Sequence, residues 1–356
     1  MSLHTEDPRM IRPSAADVKL LDSHPVVGNR AYLPTPPIKR TYLEISEAVA
    51  ERDPGISFVA FSRFGKTFAI SVLADQLAAA FPSVPVLCVN ATQHTRYTEP
   101  AFLSELFEGC TRTPAPVGHL KASVLRSKLI RYLWTLAESR GSDRVVLFVD
   151  EAQNWTEPEL TALRDISNDL ALFARVLLVV NLFGAPGLVN LRAALLQAGR
   201  TDLIGRFMVR QFEFQGIGSV ADLAGTMACY DDVDISEYPT GSGVSYSAFF
   251  MPLAFRDKWR LEKDAELVWE CFQKIARKHG GFKQIGMKWV ASSIRRFLMA
   301  QSEWDRAGFR STEKMWEHAI NRSGFAQTLG VTYSSDAKIP AAAPAENQEK
   351  SEQDSV

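Results

Sequence analysis

Short apolar runs of strand length alternate, up to about residue 217, with longer stretches in which apolar residues recur every three or four positions. The runs are typical of strands buried in a sheet, and the longer stretches are typical of amphipathic helices. The predicted strands are Ile56–Val59, Val84–Asn90, Val145–Val149, Val176–Phe183 and Phe212–Phe214, and the predicted helices are 39–52, 68–80, 99–110, 121–140, 157–173 and 188–198. Because strands and helices alternate, we predict an α/β fold with a parallel sheet flanked by helices.

The pattern changes after Gly218, where helical stretches follow one another without strands between them. An irregular segment, acidic and rich in glycine, interrupts these stretches at 230–247. A tail with two lysines against five acids and few apolar residues follows, and we expect it to be disordered. The predicted regions are a loosely attached, proline-rich N-terminal arm (1–30), an α/β domain (31–217), a smaller helical domain (218–330) and the acidic tail (331–356).

The composition is 46% hydrophobic and 23% charged, which is ordinary for a soluble globular protein. No apolar run approaches the roughly 18 residues that a membrane span needs, and the polar N-terminus is unlike a signal peptide. We therefore predict a cytoplasmic protein without a membrane partner. The four cysteines and six histidines show no paired spacing, so we do not expect a zinc site.

Charge is close to balanced over the whole chain but is unevenly distributed. Between Ala276 and Arg322, ten lysines and arginines stand against four acids. Such a segment is a candidate surface for nucleic acid. A solvated helical face is the alternative, and the sequence gives the two equal weight.

The segment from Ala60 to Thr67 follows the first predicted strand directly and has the pattern of a phosphate-binding loop, Ala/Gly-x-x-x-x-Gly-Lys-Thr. In such loops backbone N–H groups surround the phosphates, the lysine reaches the β- and γ-phosphates, and the threonine hydroxyl binds Mg²⁺. Ala60 replaces the usual first glycine, and alanine is the mildest replacement there. We therefore predict ATP and Mg²⁺ as cofactors. The predicted nucleotide-binding residues of the loop are Ala60, Phe61, Ser62, Arg63, Phe64, Gly65, Lys66 and Thr67.

A second motif supports the first. The apolar strand Val145–Val149 ends in two adjacent carboxylates, Asp150 and Glu151. Ligands bind beyond the carboxyl ends of strands in a parallel sheet. We expect Asp150 to hold Mg²⁺ through water, beside Thr67, and Glu151 to polarise the water that attacks the γ-phosphate. Either motif alone is usually an ordinary turn, but together they predict an ATPase.

Several pieces of sequence carry a resemblance to a family. They are Tyr-Leu-Pro-Thr-Pro (32–36), Ser-Arg-Phe-Gly-Lys-Thr (62–67), Val-Asp-Glu-Ala-Gln (149–153), and Phe-Gly-Ala-Pro-Gly-Leu (183–188) followed by Gly-Arg-Phe (205–207). Over about residues 25–330 the chain resembles the TnsC/TniB group of transposon AAA+ ATPases. The resemblance implies a P-loop AAA+ core followed by a small helical lid. It also implies ATP-dependent assembly on duplex DNA, as a ring or filament of identical subunits that links target-selector proteins to a transposase.

The resemblance further implies roles for individual residues. Arg206 would be the arginine finger that reaches the γ-phosphate of a neighbouring subunit, with Arg200 as the competing choice. Relatives often carry a polar sensor directly after the glycine of the fourth strand, where this chain has alanine, so Asn181 is the substitute candidate. Arg295 and Arg296 are candidates for a second sensor in the lid. A surface salt bridge is the alternative for Arg206 and Arg200, and contact with DNA or solvent is the alternative for Arg295 and Arg296.

In the relatives, the loop after the second strand contacts DNA. Here that loop carries hydroxyl, amide, imidazole and guanidinium groups, which suit phosphates and carry no base code. We therefore expect binding that tolerates any sequence, and an ordinary polar loop is the alternative. The predicted DNA-binding residues are Thr92, His94, Thr95, Arg96 and, at the start of the next helix, Lys121.

The sequence is compatible with two other functions. A nucleotide-switched signalling ATPase that activates an effector without binding DNA would explain the same motifs, although no effector or repeat domain is apparent. An AAA+ remodeller of protein complexes would need an aromatic pore loop, and Tyr97 is the only aromatic residue in the loop after the second strand. We therefore favour the DNA-binding transposition regulator.

Overall fold

The computed structural model describes residues 15–114, 121–278 and 281–332. The helices in these residues are α1 Ala15–Ser23, α2 Pro36–Glu51, α3 Lys66–Ala80, α4 Glu99–Thr111, α5 Ala122–Ser139, α6 Glu157–Asp169, α7 Gly187–Gln197, α8 Thr201–Phe207, α9 Val220–Asp231, α10 Val233–Ser236, α11 Tyr246–Phe250, α12 Pro252–Arg256, α13 Ala265–Arg277, α14 Met287–Gln301, α15 Glu313–Ser323 and α16 Phe325–Thr332. The strands are β1 Gly55–Val59, β2 Val86–Asn90, β3 Arg144–Asp150, β4 Leu177–Gly184 and β5 Gln211–Glu213. None of the described helices is both long and apolar enough to cross a membrane.

The five strands form one sheet in the order β2-β3-β4-β1-β5. β4 pairs in parallel with β1 and β3, and β1 pairs in parallel with β5. The register sets Phe58 opposite Phe183 and Phe148 opposite Asn181. The predicted α/β architecture, a parallel sheet flanked by helices and followed by a helical C-terminal region, is confirmed.

The described residues fall into two compact units that are each discontinuous in sequence. The first unit takes the chain up to Glu47, then Phe61–Val86, and the chain from Phe214 onward. The second unit takes Ala48–Ala60 and Leu87–Glu213. The second unit therefore holds the sheet, apart from Val86 at the start of β2.

The core of the second unit lies between one face of the sheet and helices α4 to α6. On α5 the buried residues Leu125, Leu129 and Leu133 are spaced by four, so they form a single apolar stripe along the helix. A capping box starts α6, because the backbone N–H of Thr156 donates to Glu159 at 3.0 Å while the Thr156 side chain caps the third residue of the helix. Burial of these stripes fixes the helices on the sheet.

The core of the first unit is aromatic. In α14 and α15, the rings of Phe297 and Trp316 stack with centroids 3.8 Å apart. His24 is fully buried among four rings whose centroids lie 4.5–4.9 Å from its own, and burial lowers the pKa of His24 to about 4. These rings belong to Tyr238, Tyr246, Phe249 and Phe250. The arm predicted over 1–30 is therefore packed into this core at His24.

Some elements differ from the sequence prediction. The helix predicted over 157–173 ends at Asp169 and gives way to a π-helical turn over Leu170–Ala174, which exposes Leu172 and Phe173. The short helices α1, α8 and α16 were not predicted, because seven to nine residues give too few repeats for a periodic pattern. The tail that we expect to be disordered, 331–356, lies outside the described residues except for residues 331 and 332. Residues 1–14 of the predicted arm also lie outside them.

Candidate functional site

The loop that follows β1 turns into α3 at Gly65. Gly65 has a φ of 95°, a left-handed conformation that glycine adopts without strain, and Arg63 is left-handed too, with a φ of 73°. As the N-cap of α3, Gly65 has no side chain to compete for the first N–H groups of the helix, which are a ready anion site. Lys66 is 7% exposed at the first position of α3. The loop therefore leads into the N-terminus of α3, where backbone N–H groups suit an anion.

Ala60, the residue in place of the usual glycine, is fully buried at the end of β1. Its N–H donates to the carbonyl oxygen of Gly184 at 2.9 Å. Ala60 is not among the described residues that adopt a positive φ, so its backbone conformation is open to any residue. The alanine therefore causes no backbone strain at this position.

The start of α14 holds the tip of the loop. The N–H of Lys288 donates to the carbonyl oxygen of Arg63 at 3.2 Å. A Cβ at Gly65 would lie 3.3 Å from the Cβ of Met287, so only a glycine leaves this contact unstrained. No local sequence pattern predicts this contact, because the two segments are more than 200 residues apart in the chain. It fixes the loop conformation within the first unit.

The carboxyl edge of the sheet, in the second unit, carries the two predicted carboxylates. Asp150 is the last residue of β3 and is 7% exposed, and its Oδ1 accepts the N–H of Glu151 at 2.9 Å. Glu151 has a φ of 53°, a strained conformation of the kind that is found at functional sites. Both residues thus lie at the end of a buried strand, as predicted.

Gln153 is a residue of this edge that sequence reasoning missed as part of the site. Its Nε2 donates to Glu151 Oε2 at 2.6 Å, and its Oε1 accepts the N–H of Ala185 at 2.8 Å. The side chain thereby ties Glu151 to the end of β4. Its spacing, two residues after the glutamate, gave no signal because the partner in β4 is distant in sequence.

Asn181 lies deeper in the sheet than the two carboxylates. It is opposite Phe148, two residues before the end of β3, so it is roughly 7 Å short of the carboxyl edge. The side chain is fully buried, and its Nδ2 and Oδ1 both lack a hydrogen-bond partner among the described residues. Its role as a sensor stays a prediction.

Arg206 lies at the opposite, amino edge of the sheet. A Cβ on Gly55, the first residue of β1, would lie 2.9 Å from the carbonyl oxygen of Arg206. The guanidinium donates to Ser167 Oγ at 2.8 Å and to Asn168 Oδ1 at 2.7 Å, at the end of α6. Both partners are neutral, and burial together with nearby Arg164 lowers the pKa of Arg206. Its positive charge therefore has no carboxylate partner in the described part of the chain.

Arg200, the competing candidate, has the opposite surroundings. Its guanidinium pairs with Glu157 and, at 3.0 Å, with Asp202, and it also donates to Thr161 Oγ1 at 3.1 Å. Hydrogen bonds to these two carboxylates raise the pKa of Arg200. The charge of Arg200 is therefore compensated by its own subunit.

The loop after β2, also in the second unit, is organised by Glu105. The carboxylate of Glu105 accepts the N–H of Thr92 at 3.0 Å and bonds the ring of His94 at 2.7 Å. The side chains of Thr92, Thr95 and Arg96 are exposed, and so is that of Lys121 at the N-cap of α5. Four of the five predicted DNA contacts are therefore available at the surface, while the ring of His94 is engaged by Glu105.

The candidates for a second sensor are distant from the phosphate loop. Met287 is the residue of α14 that approaches Gly65, and Arg295 comes eight residues later, or roughly 12 Å along the helix axis. Arg296 is one residue farther. Among the basic residues of α14, Lys288 is the one whose backbone N–H donates to the phosphate loop.

Residues 51–191 match the AAA domain family. Among solved structures, the *Aeropyrum pernix* ORC2 protein in ADPNP-ADP complexes matches with a TM-score of 0.50 and 14% identity, over 80% of this chain and 66% of that chain. Domain III of the *Thermotoga maritima* replication initiation protein DnaA matches with a TM-score of 0.44 and 11% identity, over 81% and 92%. *Drosophila* ORC bound to poly(dA/dT) DNA and Cdc6 matches with a TM-score of 0.43 and 13% identity, over 85% and 45%.

The chain spans 66% of the length of the ORC2 protein and 45% of that of the *Drosophila* chain. At such low identities the likeness concerns the fold alone. A comparison with curated proteins found no match. Residues 51–191 are thus similar to the AAA domain family, and the chain has the P-loop ATPase fold of the AAA+ class with a helical C-terminal region.

Proposed function

We propose that this chain is an ATP-dependent AAA+ regulator that assembles on duplex DNA and links target-site selection to a transposase. The single observation that carries the proposal is Arg206, whose uncompensated charge lies at the edge of the sheet opposite to the predicted catalytic carboxylates. An ATPase that keeps its arginine finger away from its own catalytic residues needs a second copy to complete each site.

The residues at the carboxyl edge suit ATP and Mg²⁺. β1 and β3 are parallel to β4 and end at the same edge of the sheet, and the phosphate loop begins directly after β1. In the proposal Lys66 neutralises the β- and γ-phosphates, and Thr67 and Asp150 hold the cation. Bound Mg²⁺ would neutralise phosphate charge as the γ-phosphoryl group leaves. Glu151, oriented by Gln153, polarises the attacking water.

In the proposal, Arg206 does not serve the nucleotide of its own subunit. β1 has five residues, so Gly55, beside Arg206, is roughly 13 Å from Val59, where the phosphate loop begins. The guanidinium is held at the end of α6, near the amino ends of the strands. We therefore propose that it acts in trans on the nucleotide of a neighbouring subunit.

Apolar residues beside Arg206 support self-association. Leu172 and Phe173 are 74% and 71% exposed, and they follow Asn168, a partner of Arg206, by four and five residues. Exposed aromatic and aliphatic side chains of this size are typical of protein contacts. In the proposal they are buried against a second copy of the chain when the ring or filament forms.

The DNA contacts of the proposal are the exposed residues of the loop after β2, together with Lys121. Hydroxyl and cationic groups that reach phosphate oxygens bind DNA without reading its sequence. The transposase and target-selector partners rest on the resemblance to the TnsC/TniB group. Tyr32 of the Tyr-Leu-Pro-Thr-Pro segment stacks on Phe68 with centroids 5.0 Å apart, so this segment lies beside the start of α3.

The test is binding of the full chain to duplex DNA of random sequence, with ATP analogue, with ADP, and without nucleotide, at several salt concentrations. We expect binding with the analogue alone and a steep loss of affinity as salt rises, because phosphate contacts release counterions. Lys66→Ala is the matched control, and it should lose both ATP binding and DNA binding. Nucleotide binding without any DNA binding would overturn the proposal and favour the signalling ATPase.

A further inference from the structure

A cavity of about 240 Å³ opens between α14 and α15 in the first unit. Its floor is apolar, formed by Phe297, Met315 and Ala319. Arg296 from α14 also lines it, with Lys314 and His318 from α15. Arg296, Lys314 and His318 can each donate a hydrogen bond, and Gln301, which also lines the cavity, can donate or accept one, so the donors of the cavity outnumber its acceptors. One water occupies about 30 Å³ in the liquid, so the cavity has room for a phosphate group.

The charges on α15 are separated by face. Glu313 and Glu317 point to α13, where both accept from Lys274 Nζ, at 2.6 and 2.7 Å. Lys314 and His318 each follow one of these acids by one residue, which turns them about 100° around the helix, toward α14. The two acids thus share Lys274 on one side of α15, and the basic groups of the helix lie on the other side.

The basic groups of the cavity have no internal counter-charge. Within the described ranges, none of Arg296, Lys314 and His318 forms an ion pair, and the buried Nε of Arg296 has no hydrogen-bond partner. A buried donor without an acceptor is rare in folded proteins and calls for a ligand or ordered water. Phosphate oxygens accept hydrogen bonds and carry negative charge, and they suit an arginine fork.

The basic side chains of α15 are also arranged in a row along the helix. Lys314, His318 and the exposed Arg322 are four residues apart, so they lie on one face of the helix at intervals of roughly 6 Å. A row of donors suits a polymer with regularly spaced charges better than a single small anion. The apolar floor offers contact to the sugars between those charges.

We propose that the cleft between α14 and α15 binds the sugar-phosphate backbone of duplex DNA, with Arg296 and Lys314 each contacting a phosphate. This inference rests on the proposed function, since it names a second DNA surface beside the loop after β2. It also accounts for the excess of basic residues between 276 and 322. Contacts of this kind strengthen binding to every sequence equally.

The test compares two double variants of the full chain with the same loss of charge. Arg296→Gln with Lys314→Gln removes two cations of the cleft. Arg256→Gln with Lys263→Gln removes two cations of the same unit outside it. For each, the affinity for duplex DNA with ATP analogue is measured across a salt series. We expect the cleft variant to lower the slope of log K against log salt by about two, and the control variant to leave it unchanged.

A slope that does not change in the cleft variant, or that falls equally in both variants, would overturn the inference while leaving the proposed function intact. Absence of DNA binding by the unaltered chain would instead overturn both. Retained ATP binding verifies that each variant is folded. Because Lys314 is exposed, Lys314→Glu alone is a second variant that should fold and should weaken DNA binding at least 10-fold at low salt. An unchanged affinity in that variant would also count against the cleft.

Discussion

The two edges of the parallel sheet differ in the charged side chains that they carry. The carboxyl edge holds Asp150 and Glu151, with Gln153 to orient the glutamate, but the described part of the sheet places no arginine there. The amino edge holds Arg206, whose charge has only neutral partners. Each edge has what the other needs for phosphoryl transfer, and the length of β1 separates them. In the proposed function, this difference means that a complete catalytic site requires two subunits.

Arg200 and Arg206 are close in the chain, but one has carboxylate partners and the other has neutral partners. Arg200 is paired with Glu157 and Asp202, as expected of an arginine in a surface salt bridge. Arg206 is partly buried and is held by a hydroxyl and an amide. Sequence alone could not separate the two, because the carboxylates that pair with Arg200 come partly from α6, more than 40 residues away.

Arg206→Ala has the largest expected effect on catalysis. We expect ATP binding to be intact and hydrolysis to fall roughly 10³- to 10⁵-fold, the range for loss of an arginine finger. Steady-state ATPase measurement and nucleotide binding by fluorescence are the checks. Arg200→Ala is the matched control, since it removes the same side chain from a compensated position, and it should keep the rate per assembled subunit. If Arg200→Ala loses the activity and Arg206→Ala keeps it, the two assignments must be exchanged.

Glu151→Gln tests the other edge. The amide keeps the shape of the side chain but cannot polarise water, so we expect hydrolysis to fall roughly 10²- to 10⁴-fold while ATP binding persists. The measurement is single-turnover hydrolysis with ATP titrated in parallel. Gln153→Ala should lower the rate by a smaller factor, because it removes only the group that orients Glu151. A normal rate in Glu151→Gln would show that another group activates the water.

Phe173→Asp has the smallest expected effect and tests the apolar part of the amino edge. Burial of a phenylalanine is worth about 1.5–3 kcal/mol, so its loss should weaken self-association by roughly 10- to 100-fold. Sedimentation at several protein concentrations with ATP analogue measures this. Because Phe173 is 71% exposed, the variant should fold normally. An unchanged association curve would place the contact between copies elsewhere.

The sheet was predictable because apolar runs of five to eight residues mark buried strands whatever surrounds them. All five strands end within one residue of their predicted ends, and the carboxylates fall at the end of β3 as expected. The two motifs of the phosphate site were therefore readable from local sequence alone.

The missing parts of the prediction depend on contacts between distant segments. Gln153 acquires its role from β4, Glu105 organises the loop that carries Thr92, and the start of α14 holds Arg63. No pattern within a short window encodes such contacts. The π-helical turn at Leu170–Ala174 was missed for a different reason, since Leu172 and Phe173 continue the apolar pattern of the helix but are exposed.

The most direct test of a catalytic site shared between subunits is a mixing experiment. Lys66→Ala subunits have an intact Arg206 but bind no ATP, and Arg206→Ala subunits bind ATP but lack the finger. Each preparation alone should be nearly inactive, and an excess of the first should restore ATPase activity to the second, because the finger is supplied by the neighbour. If the two variants co-assemble and the mixture is no more active than the sum of its parts, Arg206 does not act in trans and the account is contradicted.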